Sequence, residues 1–373
     1  MIAKSFEITG RKQIIPIEFA DINNFELREN GDIAAEEILN NPHITLFSLD
    51  FQNAQAVFVE TSADVNLSQA PFYYQMQRDR AKCVLTIPFE TMFQLAQRVQ
   101  IDDEKLILIH SMGRSGSTLA SQLFAQVDGV INMSEPDVLT QLVAARSMQP
   151  DQHDTLKLLL DACIRLLCKT PAQAGWVIKG RSFAIELGDW LYEFFPQTRN
   201  VYLYRDAESW SKSSFGAFVE NVERTPEELY QLENEAREWM QLMVPLIARY
   251  DPNQHLTGTG LFSLLWLSNM ERYMKLHKSG VKLLAIPYPS WKQNPRQTAI
   301  FMLEYCHCLP SNLTAIEETL QKDSQAGTSI SRESVKKNPT GNQLFNLDEL
   351  NYHLQNHAYI NMSDFEVPNT LKL

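Results

Sequence analysis

The sequence predicts an α/β protein, a parallel sheet flanked by helices on both faces, with a small α+β unit ahead of it. Three observations predict this. From about Lys105 onward short apolar runs alternate with helical patterns, which is how a sheet covered on both faces reads. The first of those runs, Leu106–His110, ends in a Gly- and Ser-rich turn leading straight into a helix. Residues 1–100 instead carry strand-like runs separated by Asn, Asp, Ser and Pro turns.

The chain has 373 residues, long for one core, so a large domain with an additional unit is expected. The boundaries read as 1–100 for the N-terminal unit, 101–335 for the main domain and 336–373 for a C-terminal extension packed on it. Hydrophobic residues make up 44% and charged residues 21%, the balance of an ordinary globular protein. A formal net charge of -12 argues against nucleic acid or an anionic membrane as partner. Cys83, Cys163, Cys168, Cys306 and Cys308 show no CxxC pair and no metal-like spacing with histidine, so thiols in a reducing compartment are expected. The start of the chain has no apolar signal region, and no run approaches membrane-spanning length. The expectation is a cytoplasmic protein with no bound metal; the sequence leaves its oligomeric state open.

Ile44–Leu49, Ala56–Glu60 and Cys83–Ile87 read as strands of the first unit, followed by a helix over 89–99. In the main domain, helices are expected near 118–126, 136–147 and 155–168 after the Leu106–His110 strand. Trp176–Lys179 is the next strand, with a helix over 183–194. Asn200–Tyr204 is a third strand, running directly into a helix through Phe218. Helices at 226–249 and 260–278 follow, then the strand Val281–Ile286, helices near 295–305 and 312–321, and one at 347–355. Ligands in such sheets sit beyond the carboxyl ends of the strands, which directs attention to the turns after His110 and Tyr204.

The first turn is Ser111-Met112-Gly113-Arg114-Ser115-Gly116-Ser117-Thr118. Gly113 and Gly116 allow a tight turn and close approach of backbone to a ligand. Unpaired N–H groups at the start of the next helix, with the positive end of its dipole, suit an anion. Arg114 adds a full charge, and Ser117 and Thr118 add hydroxyl donors. No lysine follows the second glycine, so this is not the G-x-x-x-x-G-K-[ST] loop; a plain strand-to-helix turn has the same composition.

In the second stretch, Arg205 closes a strand and Ser213 lies in the following helix. A guanidinium fork and a hydroxyl suit a second phosphate. The competing reading makes Asp206 a helix cap and Arg205 half of a surface ion pair.

Together the two segments resemble the PAPS-dependent sulfotransferases, where PAPS is 3′-phosphoadenosine 5′-phosphosulfate. The likeness lies in Gly113-Arg114-Ser115-Gly116-Ser117-Thr118-Leu119 and in Arg205-Asp206-Ala207 with Ser213 and Phe215. Trp176–Lys179, Phe194-Phe195-Pro196 with Arg199, and Leu283–Tyr288 with Trp291, Asn294 and Pro295 extend it over residues 105–335. The resemblance implies the P-loop NTPase-like sulfotransferase fold. It implies that the Gly113–Thr118 loop holds the 5′-phosphosulfate and that Arg205 and Ser213 hold the 3′-phosphate. Arg114 would stabilise the leaving phosphate, with PAP (3′-phosphoadenosine 5′-phosphate) as product and no metal needed. A late loop containing Gly327, Ser331 and Arg332 would cover the nucleotide; a solvated linker to the C-terminal helix is the other reading of that polar stretch.

The chain departs from the family pattern in two places. Lys179-Gly180-Arg181-Ser182-Phe183 has no histidine where relatives carry one, and Pro287-Tyr288-Pro289 replaces an acidic pair. Glu135, in Ser134-Glu135-Pro136, becomes the expected general base, its basicity raised by partial burial; Ser134 or Glu135 as a helix cap is the plainer reading. His110 is a second candidate base, although the end of a buried strand suits a satisfied core histidine, and Lys179 is expected to orient the acceptor or the sulfate, with a surface or helix-terminus role as the alternative. The acceptor is a hydroxyl or amine on a small molecule or peptide. An ATP-dependent P-loop kinase and a non-catalytic nucleotide-binding relative are the alternatives. A kinase would want a loop lysine and acidic Mg²⁺ ligands, and neither is evident.

Overall fold

The computed structural model describes residues 1–12, 18–218, 224–310, 312–324 and 345–373. Two sheets organise them. The first is antiparallel, made of β1 (Ile2–Arg11), β2 (Phe25–Ala34), β3 (Ile44–Asp50), β4 (Gln55–Thr61) and β5 (Ala81–Pro88) in the order β2-β1-β5-β4-β3. The second is the expected parallel sheet. Its strands are β6 (Leu106–Ser111), β7 (Val130–Ser134), β8 (Gly175–Lys179), β9 (Arg199–Tyr204) and β10 (Leu283–Pro287), in the order β10-β9-β6-β8-β7. Helices connect its successive strands, so the α/β class read from the sequence holds.

The chain divides into two compact units, one of Met1–Leu108 with Phe124–Arg199 and one of Ile109–Leu123 with Asn200–Leu373. In the first unit Phe25, Phe47, Val57, Val59, Tyr74 and Val84 form a buried cluster on the antiparallel sheet. That sheet has five strands where the sequence reading expected three. β1 and β2 were missed, and the pairing shows why. Asn30-Gly31 is a turn signal, but here it sits inside β2. Gly31 adopts φ +84°, and the register slips by one residue between Lys4 and Phe6, so the pair forms a bulge instead of a hairpin turn.

In the second unit the helix expected over 226–249 is two helices, Pro226–Met240 and Pro245–Ala248. Pro245 cannot donate an N–H to the preceding turn and its ring would collide with that turn's carbonyl, so the helix restarts there. Thr225 and Glu228 close a capping box at the first helix's start. The long helix Gly258–Lys278 buries Trp266, Met270 and Tyr273, and Tyr273 packs on Tyr202 of β9 at 4.7 Å. The aromatic stripe of this helix is core. No described helix is long and apolar enough to cross a membrane.

Candidate functional site

β6 ends at Ser111, and the backbone of the turn that follows is unusual. Gly113, Arg114 and Gly116 all have positive φ, at 72°, 47° and 91°. Two are glycines, for which this is free; Arg114 is not, and such strain persists only where surrounding contacts impose it. The contacts are visible. Trp210 donates its indole N–H to the carbonyls of Met112 and Gly113, at 3.1 Å each. Ser115 donates its hydroxyl to the Leu203 carbonyl of β9 at 3.0 Å, and the Met112 N–H reaches the same oxygen at 3.4 Å. A trans peptide points its C=O and N–H in opposite directions. Turning the Gly113 carbonyl toward Trp210 therefore turns the Arg114 N–H the other way.

The following helix runs Ser117–Phe124, and its first intrahelical bond is Ala120 N–H to the Gly116 carbonyl at 3.0 Å. The N–H groups at the start of the helix precede that bond. Ser117 and Thr118 are buried. The loop thus combines a helix N-terminus with constrained amides, the arrangement that receives an anion. The Ser115 hydroxyl fastens the loop to β9.

Two guanidinium groups belong to the same unit. Arg114 donates from Nε to Ser213 Oγ at 3.3 Å, and Arg205 donates from Nε to Ser209 Oγ at 2.7 Å. Ser209 and Ser213 stand one turn apart on the helix Ala207–Phe218, so they share a face and hold the two arginines as neighbours. Burial lowers the pKa of Arg114, and the charge of Arg205 lowers it further. Burial also lowers that of Arg205. Tyr288, just after β10, lies under Arg205 with its ring centroid 4.6 Å from the guanidinium carbon. Asp206 caps the helix by accepting the Ser209 N–H at 2.8 Å, as one of the two readings of this stretch anticipated. Ser213 is therefore tied to Arg114, and Ser209, which sequence reasoning passed over, is the hydroxyl on Arg205. The i, i+4 serine pair at 209 and 213 was the available signal.

Glu135 and Lys179 lie in the other unit. β7 and β8 pair with Ser134 opposite Lys179, so Glu135 follows directly where the strands end. It adopts φ +64°, and its N–H donates to the Lys179 carbonyl at 2.6 Å. The Lys179 ammonium, 2% exposed, forms an ion pair with the Glu135 carboxylate. Arg181 approaches Asp137 at 3.1 Å and Glu135 at 3.9 Å, and its guanidinium stacks 4.4 Å from the centre of the Tyr74 ring. Asp137 is fully buried; burial raises its pKa and Arg181 draws it back down. Burial pushes the Tyr74 hydroxyl up to about 12. Arg181 and Asp137 were not singled out from the sequence. Their signal was spacing: each lies two residues beyond its strand-end partner, Lys179 or Glu135.

His110 is a core histidine. It is 4% exposed and 3.1 Å from Asn200 Oδ1, and burial lowers its pKa to about 4. Arg332, Gly327 and Ser331 lie outside the described residues. None of the five cysteines forms a disulfide. Among the described residues no group of three or more His, Cys, Asp or Glu is placed to hold a metal ion.

No protein-family model and no curated protein matches the chain. Solved structures similar to it include a sulfotransferase from Alicyclobacillus acidocaldarius, with 13% identity over 56% of this chain and 82% of that one and a TM-score of 0.37. Sulfotransferase STF1 from Mycobacterium tuberculosis H37Rv gives 13% identity, 67% and 80% coverage and a TM-score of 0.35. A sulfotransferase domain from the curacin biosynthetic pathway gives 16%, 64% and 88%, and 0.36. At these values function has to be argued from the residues.

Proposed function

We propose that the chain is a PAPS-dependent sulfotransferase acting on a hydroxyl or amine of a small molecule or peptide. The observation that carries this reading is the pair Arg114 and Arg205. Two guanidinium groups are held as neighbours on Ser213 and Ser209, beside a loop of constrained amides, and each lowers the cost of bringing an anion to the other even with Asp323 near Arg114 and Asp206 near Arg205. A ligand with two separate anionic groups answers both. PAPS carries a 5′-phosphosulfate for the loop and a 3′-phosphate for Arg205.

In this reading the amides of the Gly113–Thr118 loop, with the hydroxyls of Ser117 and Thr118, hold the 5′-phosphate. The acceptor oxygen or nitrogen attacks sulfur in line, and the bond from sulfur to the 5′-phosphate oxygen breaks. PAP leaves with the electron pair, and Arg114 meets the charge developing on its phosphate. The acceptor's proton goes to a general base, for which the sequence proposes Glu135, ion-paired with Lys179 within its own unit. Arg205 recognises the 3′-phosphate by charge-assisted hydrogen bonds.

Arg205→Ala tests the donor assignment. By calorimetry it should weaken PAP binding by about 2 kcal/mol, the worth of a hydrogen bond to a charged group, and leave AMP, which has no 3′-phosphate, nearly unchanged. Equal losses for PAP and AMP would remove Arg205 from 3′-phosphate recognition.

A further inference from the structure

We propose that the indole N–H of Trp291 donates a hydrogen bond to the anion seated in the Gly113–Thr118 loop, making it a further binding residue for the donor's 5′-phosphate. This rests on the donor reading above and adds a residue to it.

Trp291 lies on the short helix Tyr288–Gln293 that follows β10. It is 6% exposed, and its Nε1 has no hydrogen-bond partner among the described residues. Two other tryptophans of this unit behave otherwise. Trp210 donates to the carbonyls of Met112 and Gly113, and Trp266 donates to the Arg205 carbonyl at 2.9 Å. A buried donor without an acceptor is costly and calls for an explanation.

The position of the ring supplies one. A Cβ added at Gly116 would lie 3.2 Å from Trp291 Cδ1 and 3.3 Å from Nε1. The edge of the indole that carries the N–H is thus the edge against the loop. Gly116 leaves room for that edge, and its φ of +91° turns the chain into the helix whose first amides point at the same anion. An anion oxygen in the loop supplies the missing acceptor. Trp291 would then join the helix-start amides and Arg114 as a neutral donor of fixed direction, suited to a phosphate oxygen.

Trp291→Phe keeps most of the ring and removes the donor. Its affinity for PAP and for adenosine 3′-monophosphate, which lacks the 5′-phosphate, should be measured against the parent by calorimetry. We expect PAP to bind about tenfold more weakly and adenosine 3′-monophosphate to bind as before, the scale of one hydrogen bond to a charged acceptor. PAP affinity within twofold of the parent would overturn the proposal. Should the variant fail to fold, the Trp291 indole ¹H–¹⁵N resonance of the parent decides: a downfield shift on adding PAP supports the hydrogen bond, and an unmoved resonance overturns it. If the parent prefers ATP to PAP, the donor reading fails. The Trp291 assignment is then decided by the variant's affinity for ATP, tenfold weaker in support or unchanged against.

Discussion

Arg114→Ala should slow PAP release from PAPS by about 10²–10³-fold, the usual loss when one donor aimed at developing charge is removed, while PAP affinity changes far less. Ground-state binding of the nucleotide is shared among the loop amides, Ser117, Thr118 and Arg205, whereas charge on the bridging oxygen appears only as the sulfur–oxygen bond breaks. Arg114, on a strained residue of φ +47° and fixed by Ser213, is the cation the loop itself presents. A companion variant separates charge from backbone. Arg114→Gly fits the positive φ without the strain of an L side chain, worth about 1 kcal/mol, so it should fold at least as stably as the parent and be as slow as Arg114→Ala. Parallel losses in PAP affinity and in turnover would show that Arg114 only binds.

The second large effect is expected on stability. Arg181→Met leaves Asp137, 0% exposed, without its guanidinium partner and should cost about 3–5 kcal/mol in urea or thermal unfolding. Removing both charges with Arg181→Met and Asp137→Asn should recover much of that loss, because the uncompensated charge is its source. The pH dependence has a definite sign. Asp137 has a raised pKa in the folded protein, through burial, and Arg181 moderates the rise. Between the ordinary value of 3.8 and the raised one the folded state binds more protons than the unfolded state, so stability falls as pH rises through that window. Without Arg181 the window extends further upward, and the deficit of the variant should shrink as the pH is lowered toward 3.8. His110 acts oppositely. With a folded pKa near 4 against 6.5 unfolded, it costs stability as pH falls through that interval. It does so in both proteins and cancels in their difference. A deficit independent of pH would contradict the assignment of the cost to Asp137.

The parallel sheet was legible because strands such as Leu106–Ser111 and Arg199–Tyr204 are short apolar runs, each leading to a helix. The loop between β6 and its helix was legible because Gly113 and Gly116 are needed where φ is positive. β1 and β2 were hidden by Asn30-Gly31, a local turn signal overridden by pairing with β1. The arginines were legible as residue types at strand ends, but not their partners. That Arg114 takes Ser213 and Arg205 takes Ser209 depends on helix phase and side-chain reach, which a pattern of letters does not contain. The Arg181–Asp137 pair was invisible for a related reason: each residue alone reads as surface charge, and burial is a property of the folded chain. Trp291 was noticed only as part of a family likeness, since an unpartnered indole N–H has no sequence signature.

Calorimetric titration of the purified protein with PAP, AMP and ATP, with and without Mg²⁺, decides whether this site takes a nucleotide with anionic groups at both its 3′ and 5′ positions. PAP should bind more tightly than either competitor, with or without Mg²⁺. Equal affinity for PAP and AMP, or a preference for ATP that requires Mg²⁺, would contradict it.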